Sequence, residues 1–216
     1  MPHVPPSLPP VAVDPDTLRR VIPREMQEAP RWVLYRNAPG PGFNAKARKV
    51  PVYADGGART GKLDTPRDQQ RLVTMEQALS ALQGFPGYGL GFALGQGPTP
   101  GVQWQGIDLD AISQHPELIA LFDMAPGYKE RSPSGDGFHV IGQGPHFNTL
   151  GSNRTGIEAY AGARFLTVTG NSLGGELADL APFVNEVLAP LHAKKPPGSD
   201  RAPTPAPVAA VTSRPA

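Results

Sequence analysis

The chain has no cysteine among its 216 residues. Disulfide staples, thiolate nucleophiles, iron–sulfur clusters and cysteine-ligated zinc are therefore excluded within it. It also lacks any apolar run near the roughly 20 residues that cross a bilayer as a helix. The opening Met1-Pro2-His3-Val4-Pro5-Pro6 has neither the basic nor the apolar block of a secretory signal, so the expectation is a cytoplasmic protein with no membrane partner. Excess charge of one sign is missing too: the formal net charge is +1, which does not advertise a nucleic-acid binder. The charge is nevertheless uneven. Residues 1–72 hold 12 Lys/Arg against 7 Asp/Glu, and residues 73–216 hold 8 against 12. A site that grips phosphates with both a metal and basic side chains has this distribution, and ordinary surface variation can produce it as well.

Proline and glycine are plentiful, at 27 and 25 residues. Prolines crowd both ends and divide the chain. Residues 1–22 read as a proline-rich arm followed by a short helix. Residues 23–192 read as one domain, long enough to bury a core without staples. Residues 193–216 read as a flexible Pro/Ala-rich tail or linker.

At the end of the arm, Asp14 to Ile22 reads as a short helix with Asp16 as its cap. Pro23 to Pro30 reads as a second short helical piece. Arg31-Trp32-Val33-Leu34-Tyr35-Arg36 is aromatic and β-branched and reads as a strand, and Lys46 to Tyr53 reads as its antiparallel partner. Residues 55–71 read as a solvated loop. Thr74-Met75-Glu76-Gln77 is a capping-box pattern opening a helix through Leu82. The glycines of Gly87 to Leu94 miss the dinucleotide-binding spacing and run into Pro98 and Pro100, so the segment reads as a tightly packed strand leading by a hairpin into the next one. His115-Pro116 opens a helix through Phe122, with Leu118, Ile119, Leu121 and Phe122 facing inward. Thr155 to Tyr160 reads as a strand that turns at Ala161-Gly162-Ala163 and returns as Arg164 to Thr169. From Asp179 to Leu191 the apolar residues recur at helical spacing.

Gly106-Ile107-Asp108-Leu109-Asp110 reads as a strand, so Asp108 and Asp110 share one face. Two carboxylates at i and i+2 repel, and each tends to stay protonated unless a positive charge sits between them. They are either two solvated acids at a strand end or oxygen ligands for magnesium or manganese held together with substrate phosphates. Further on, Ser132-Pro133-Ser134-Gly135-Asp136-Gly137-Phe138-His139 is a turn feeding a strand. Gly135 and Gly137 permit a sharp bend with outward amides, an anion nest, and His139 at the strand start is placed to meet a phosphate. Glu158 alternates with Ile157 and Ala159. It is either an exposed strand acid or a third carboxylate of a metal site.

Asp108-Leu109-Asp110, Ser134 to His139 and Ile157-Glu158 occur in that order, all at strand ends. Together with Trp32 to Arg36, Lys49-Val50-Pro51, Tyr88 to Phe92, Glu130 to Ser132, Gly156 to Tyr160 and Arg164 to Gly170, they resemble the primase–polymerase domain of the archaeo-eukaryotic primase superfamily, in its phage and plasmid form. The resemblance covers about residues 24–190. It implies a mixed α+β fold, an antiparallel RNA-recognition-like sheet forming the catalytic core with a small flanking α/β module. It implies Asp108, Asp110 and Glu158 as catalytic metal ligands for Mg2+ or Mn2+. Ser134, Gly135, Gly137 and His139 would hold the incoming nucleotide's phosphates, with Arg164 as a further triphosphate contact. The partners it implies are nucleoside triphosphates, a DNA template and primer, and a helicase domain or protein. The basic residues Lys46, Arg48, Lys49 and Lys62 would face the nucleic acid.

Two other functions use the same residues. A metal-dependent nuclease would share the acids, but the Ser-Gly-x-Gly-x-His nest favours a triphosphate. A replication-initiation module that binds nucleotide or DNA without turnover would gain by losing the repulsion among the three acids.

Overall fold

The computed structural model describes residues 14–40, 47–61 and 63–193. The first helix, α1 (Pro15–Val21), is capped two residues earlier than expected. Asp14, not Asp16, takes the amides of Asp16 and Thr17, both at 3.2 Å. Pro15 sets the first helical residue, where a missing N–H costs nothing. Helix α2 (Arg24–Glu28) follows, then strands β1 (Trp32–Ala38) and β2 (Arg48–Val52), paired antiparallel as expected. Next come α3 (Pro66–Gln69) and α4 (Met75–Leu82), the latter opened by the Thr74/Gln77 capping box. The chain continues as β3 (Gly89–Ala93), β4 (Gly95–Gln96), β5 (Gln103–Asp110), α5 (Leu118–Met124), β6 (Tyr128–Arg131), β7 (Gly137–Gly144), β8 (Ile157–Tyr160), β9 (Phe165–Val168) and β10 (Ser172–Gly174). It closes with α6 (Ala181–Phe183), a wider π turn at Val184–Leu188, and α7 (Ala189–His192). Pro190 explains that widening, because its ring blocks the carbonyl one α-turn back and supplies no N–H.

These strands form two antiparallel sheets, in a mixed α+β fold. One has the order β2-β1-β3-β9; the other runs β10-β6-β7-β5-β4, with β8 also paired to β5. The expected Gly87–Leu94 hairpin into the Asp108 strand does not form. Only β4 pairs with β5, while β3 stays in the first sheet. Nor do β8 and β9 form a hairpin; they lie in different sheets. Each passage between sheets contains a residue at positive φ: Gly95 at 121°, Ala163 at 53° and Gly170 at 78°. Gly95 is fixed doubly, since a Cβ there would sit 2.1 Å from Asp64 Oδ2.

Side-chain alternation explains the layering. Ile107, Leu109, Phe138, Val140, Ile157 and Ala159 point to one face of the second sheet and pack on α5 and the C-terminal helices. The opposite face carries Trp104, Tyr128, Ile141 and Tyr160 against Leu34, Leu90, Phe92 and Leu166 of the first sheet. The two sheets approach closely where β5 has Gly106. A Cβ there would lie 2.7 Å from Leu94 Cδ1 and 2.8 Å from Leu166 Cδ1. On α5, Leu118 and Phe122 are buried and Leu121 packs partly buried beside them, but Ile119 is 44% exposed, because the i, i+3 and i+4 positions form the inward face.

Candidate active site

Strand register places the site. In an antiparallel pair, directly opposed residues point to the same face. Asp108 is opposite His139 on β7 and Glu158 on β8, and His139 is opposite Glu130 on β6. Glu130, His139, Asp108 and Glu158 therefore form one row across four strands, and Asp110 lies on the same face two residues further along β5. The neighbouring row of Tyr128, Ile141, Gly106 and Tyr160 is packed under the first sheet. The charged row sits where that face emerges from the core.

Burial is graded along the row. The side chains of Glu130 and His139 are 0% and 3% exposed, and Asp108 is 29% exposed. His139 Nδ1 lies 3.0 Å from the Thr167 carbonyl, which can only accept, so Nδ1 carries the hydrogen. The same nitrogen is 3.7 Å from Glu130 Oε1, and Nε2 is 3.6 Å from Asp108 Oδ1. Glu130 also accepts the Thr169 amide at 3.2 Å and the Tyr128 hydroxyl at 3.3 Å. Burial works against the His139 imidazolium, but Glu130 and Asp108 on either side outweigh it and raise its pKa. Burial also raises Asp108. Glu158 and Asp110 add to that effect, while His139 and Lys49 oppose it without cancelling it.

Glu158 is held from its own strand. The Tyr160 hydroxyl donates to Glu158 Oε2 at 2.6 Å, and the Arg164 guanidinium lies 4.8 Å from the centre of the Tyr160 ring. Burial and Glu158 push the Tyr160 hydroxyl up to about 12, so it remains a donor.

The turn before His139 is braced internally. The Gly135 amide donates to the Ser132 carbonyl at 3.0 Å, the Asp136 amide to Ser134 Oγ at 3.3 Å, and Ser132 and Ser134 share a hydroxyl contact of 2.9 Å. Arg131 Nη1 donates to the Gly135 carbonyl at 3.1 Å. Asp136 accepts from the Ser113 amide at 2.7 Å and hydroxyl at 2.9 Å, tying the turn to the end of β5. The amides of Gly135 and Asp136 are thus used within the turn, and His139 is buried in the row; the outward nest expected from the sequence is not displayed. Gly137 fills a different need, since a Cβ there would lie 2.7 Å from the Leu109 carbonyl. Gly137→Ala must push β5 and β7 apart beside Asp110. We expect a loss of about 1–3 kcal/mol in chemical denaturation, as for other overpacked sites; an unchanged midpoint would show that the strands yield freely.

Among the basic residues, Lys46 and Lys62 lie outside the described residues. Arg48 is exposed on β2. Lys49 is exposed as well, and its Nζ donates to Thr167 Oγ1 at 3.3 Å, beside the carboxylate row. Glu130, Thr167 and Tyr160 were not singled out by sequence reasoning. Tyr128-x-Glu130 and Glu158-x-Tyr160 alternation carried the signal for two of them; Thr167 enters through a sheet crossing that no local pattern marks.

The donor chemistry of Asp108, Asp110 and Glu158 fits a hard divalent cation, and Asp108 bears the repulsion that such an ion would relieve. Among the described residues, no group of three or more His, Asp or Glu side chains is gathered so as to hold a metal ion by itself. A cation here needs ligands from elsewhere, as magnesium commonly does when it binds with substrate phosphates.

No family model matches the chain. Over 156 residues it is 29% identical to a DNA primase-polymerase of Nitratiruptor phage NrS-1, a match covering 67% of this chain. The match spans only 20% of the phage protein. The similarity supports a relationship between this chain and DNA primase-polymerases.

Proposed function

We propose that this chain is a metal-dependent nucleotidyltransferase domain that makes or extends primers on single-stranded DNA during replication of a phage, plasmid or mobile element. The observation that carries the reading is the row Glu130–His139–Asp108–Glu158, with Asp110 on the same face. Four carboxylates on one face, with Asp108, Asp110 and Glu158 half-buried, are costly without a cation, and the phage similarity points the same way.

Asp108, Asp110 and Glu158 would hold magnesium or manganese, which supplies charge to stabilise the attacking 3′-oxygen and the leaving pyrophosphate. The chain's own groups position. Tyr160 fixes the Glu158 carboxylate, Glu130 and Thr167 fix His139, and Arg164 stands beside Tyr160 as a triphosphate contact. The Ser134–Gly137 turn, anchored through Asp136, sets the rim next to Asp110. Such positioning and neutralisation dominate phosphoryl and nucleotidyl transfer.

The test is extension of a labelled primed template with nucleoside triphosphates and Mg2+ or Mn2+, beside an Asp108→Asn, Asp110→Asn double variant. Lengthening in the parent and none in the variant is expected. One observation favours a second reading, a nucleotide-binding module without turnover: His139 Nε2 lies 3.6 Å from Asp108 Oδ1, where an imidazolium would supply positive charge without a metal. Metal-independent nucleotide binding with no lengthening would support that module and overturn the proposal.

A further inference from the structure

Lys49 lies on β2, an edge strand of the first sheet, and Thr167 lies on β9, the opposite edge. In a flat sheet three strand spacings separate them, roughly 14 Å. Yet Lys49 Nζ and Thr167 Oγ1 are 3.3 Å apart. The sheet curls, and the lysine crosses its concave face. On that face β3 presents Gly89 and Gly91 between the inward-facing Leu90 and Phe92, and Phe165 packs over Gly91. Arg48, the adjacent residue, points the other way, as strand alternation requires. A long side chain laid across a sheet gives up rotamer freedom that a solvent-facing lysine keeps.

The crossing delivers the ammonium to one particular residue. Thr167 binds Lys49 through its hydroxyl and His139 through its carbonyl, and His139 in turn faces Asp108. Lys49 is close enough to act electrostatically on both His139 and Asp108. Lys49 is exposed on β2, and where its ammonium meets Thr167 it forms a wall beside the carboxylate row. A compact ammonium with three donors suits a polyphosphate brought to that wall. Deepening the nucleotidyl-transfer reading, on which it rests, we infer that Lys49 binds the polyphosphate tail of the incoming nucleoside triphosphate, with Thr167 as its positioning residue, and is not a template contact.

The experiment compares the full chain with Lys49→Ala, Lys49→Arg and Thr167→Val. Nucleotide KM is taken from primed extension. Affinity for the primed template is measured separately by fluorescence anisotropy without nucleotide. Lys49→Ala should raise nucleotide KM roughly 10- to 100-fold, the loss expected of one charge-assisted contact. Template affinity should stay within about twofold, since one phosphate contact fewer is the alternative being excluded. Lys49→Arg should recover part of the KM. Thr167→Val, which keeps the carbonyl that holds His139, should raise KM by a smaller factor. Weakened template binding with unchanged KM would overturn the inference, and so would no change in either. A parent that extends no primer would sink the nucleotidyl-transfer reading instead. Titration of parent and Lys49→Ala with a non-hydrolysable deoxynucleoside triphosphate then decides about Lys49, and equal affinities would refute it.

Discussion

Replacing Asp68 with alanine should cost about 3–5 kcal/mol of folding stability, the usual price of leaving a buried charge without its partner. Arg59 and Asp68 form a two-pronged pair, Nε to Oδ1 at 2.8 Å and Nη2 to Oδ2 at 2.7 Å, with side chains 0% and 2% exposed. The Tyr53 hydroxyl and the Asp64 amide also donate to Asp68, each at 2.7 Å. Arg59 Nη1 is buried without a hydrogen-bond partner. Without Asp68 the guanidinium would be stranded further. Asp64 links this knot to the rest of the fold: its carboxylate takes Arg31 at 3.2 Å and the Gln96 amide at 3.2 Å, where the chain passes from β3 to β4. Damage here should therefore loosen the strand leading into Asp108 as well as the loop. The pH dependence has a definite sign. Burial alone would raise the Asp68 pKa, but Arg59, Tyr53 and the Asp64 amide outweigh it and bring it from 3.8 down to about 2. A depressed carboxylate stabilises the fold above its unfolded pKa and loses that contribution as pH falls through the folded value. The gap between parent and Asp68→Ala in urea denaturation should be widest near neutrality and narrow between pH 4 and 2. A variant within 1 kcal/mol of the parent at pH 7 would refute the argument.

The elements legible in the sequence are those set by local physics. The Thr74 capping box, the Trp32 and Lys49 strands and the shared face of Asp108 and Asp110 follow from hydrogen-bond chemistry and side-chain alternation within a few residues. What escaped depends on which strand lies next to which. The family resemblance groups Glu158 with Asp108, but its place directly opposite, 50 positions away in sequence, comes from the β5–β8 register. Both supposed hairpins failed for one reason: a short turn between two strands looks the same whether they pair or part into different sheets. Gly95 and Ala163, at positive φ, send the strands apart. The Ser134–Gly137 turn was recognised as a turn, but its side chains satisfy its own amides first, as Ser and Asp commonly do. The reach of Lys49 to Thr167 was not legible, because curling of its sheet is not a local property.

Asp108→Asn should separate function from stability. Asparagine keeps the shape of the side chain and removes its charge. On the proposed function, in which Asp108 holds the metal, primed extension should fall about 1000-fold or more, since losing that carboxylate removes several kcal/mol of transition-state stabilisation. Stability should move the other way. The Asp108 pKa is held above 3.8 because burial, Glu158 and Asp110 together exceed the attraction of His139 and Lys49. The charged side chain is therefore a net burden on the folded protein, with the His139 interaction already included. In chelator at neutral pH the variant should melt at or above the parent. A raised folded pKa means that the folded state binds the proton more tightly, so the burden is present at neutral pH and is relieved as pH falls through the folded value. The parent should accordingly gain on the variant between pH 7 and 4. Adding Mg2+ with a nucleoside triphosphate should reverse the ranking, because binding to the folded state alone stabilises it and only the parent keeps the full ligand set. A variant that melts several degrees below the parent in chelator would make Asp108 a structural partner of His139, while one retaining extension within tenfold would remove it from the chemistry.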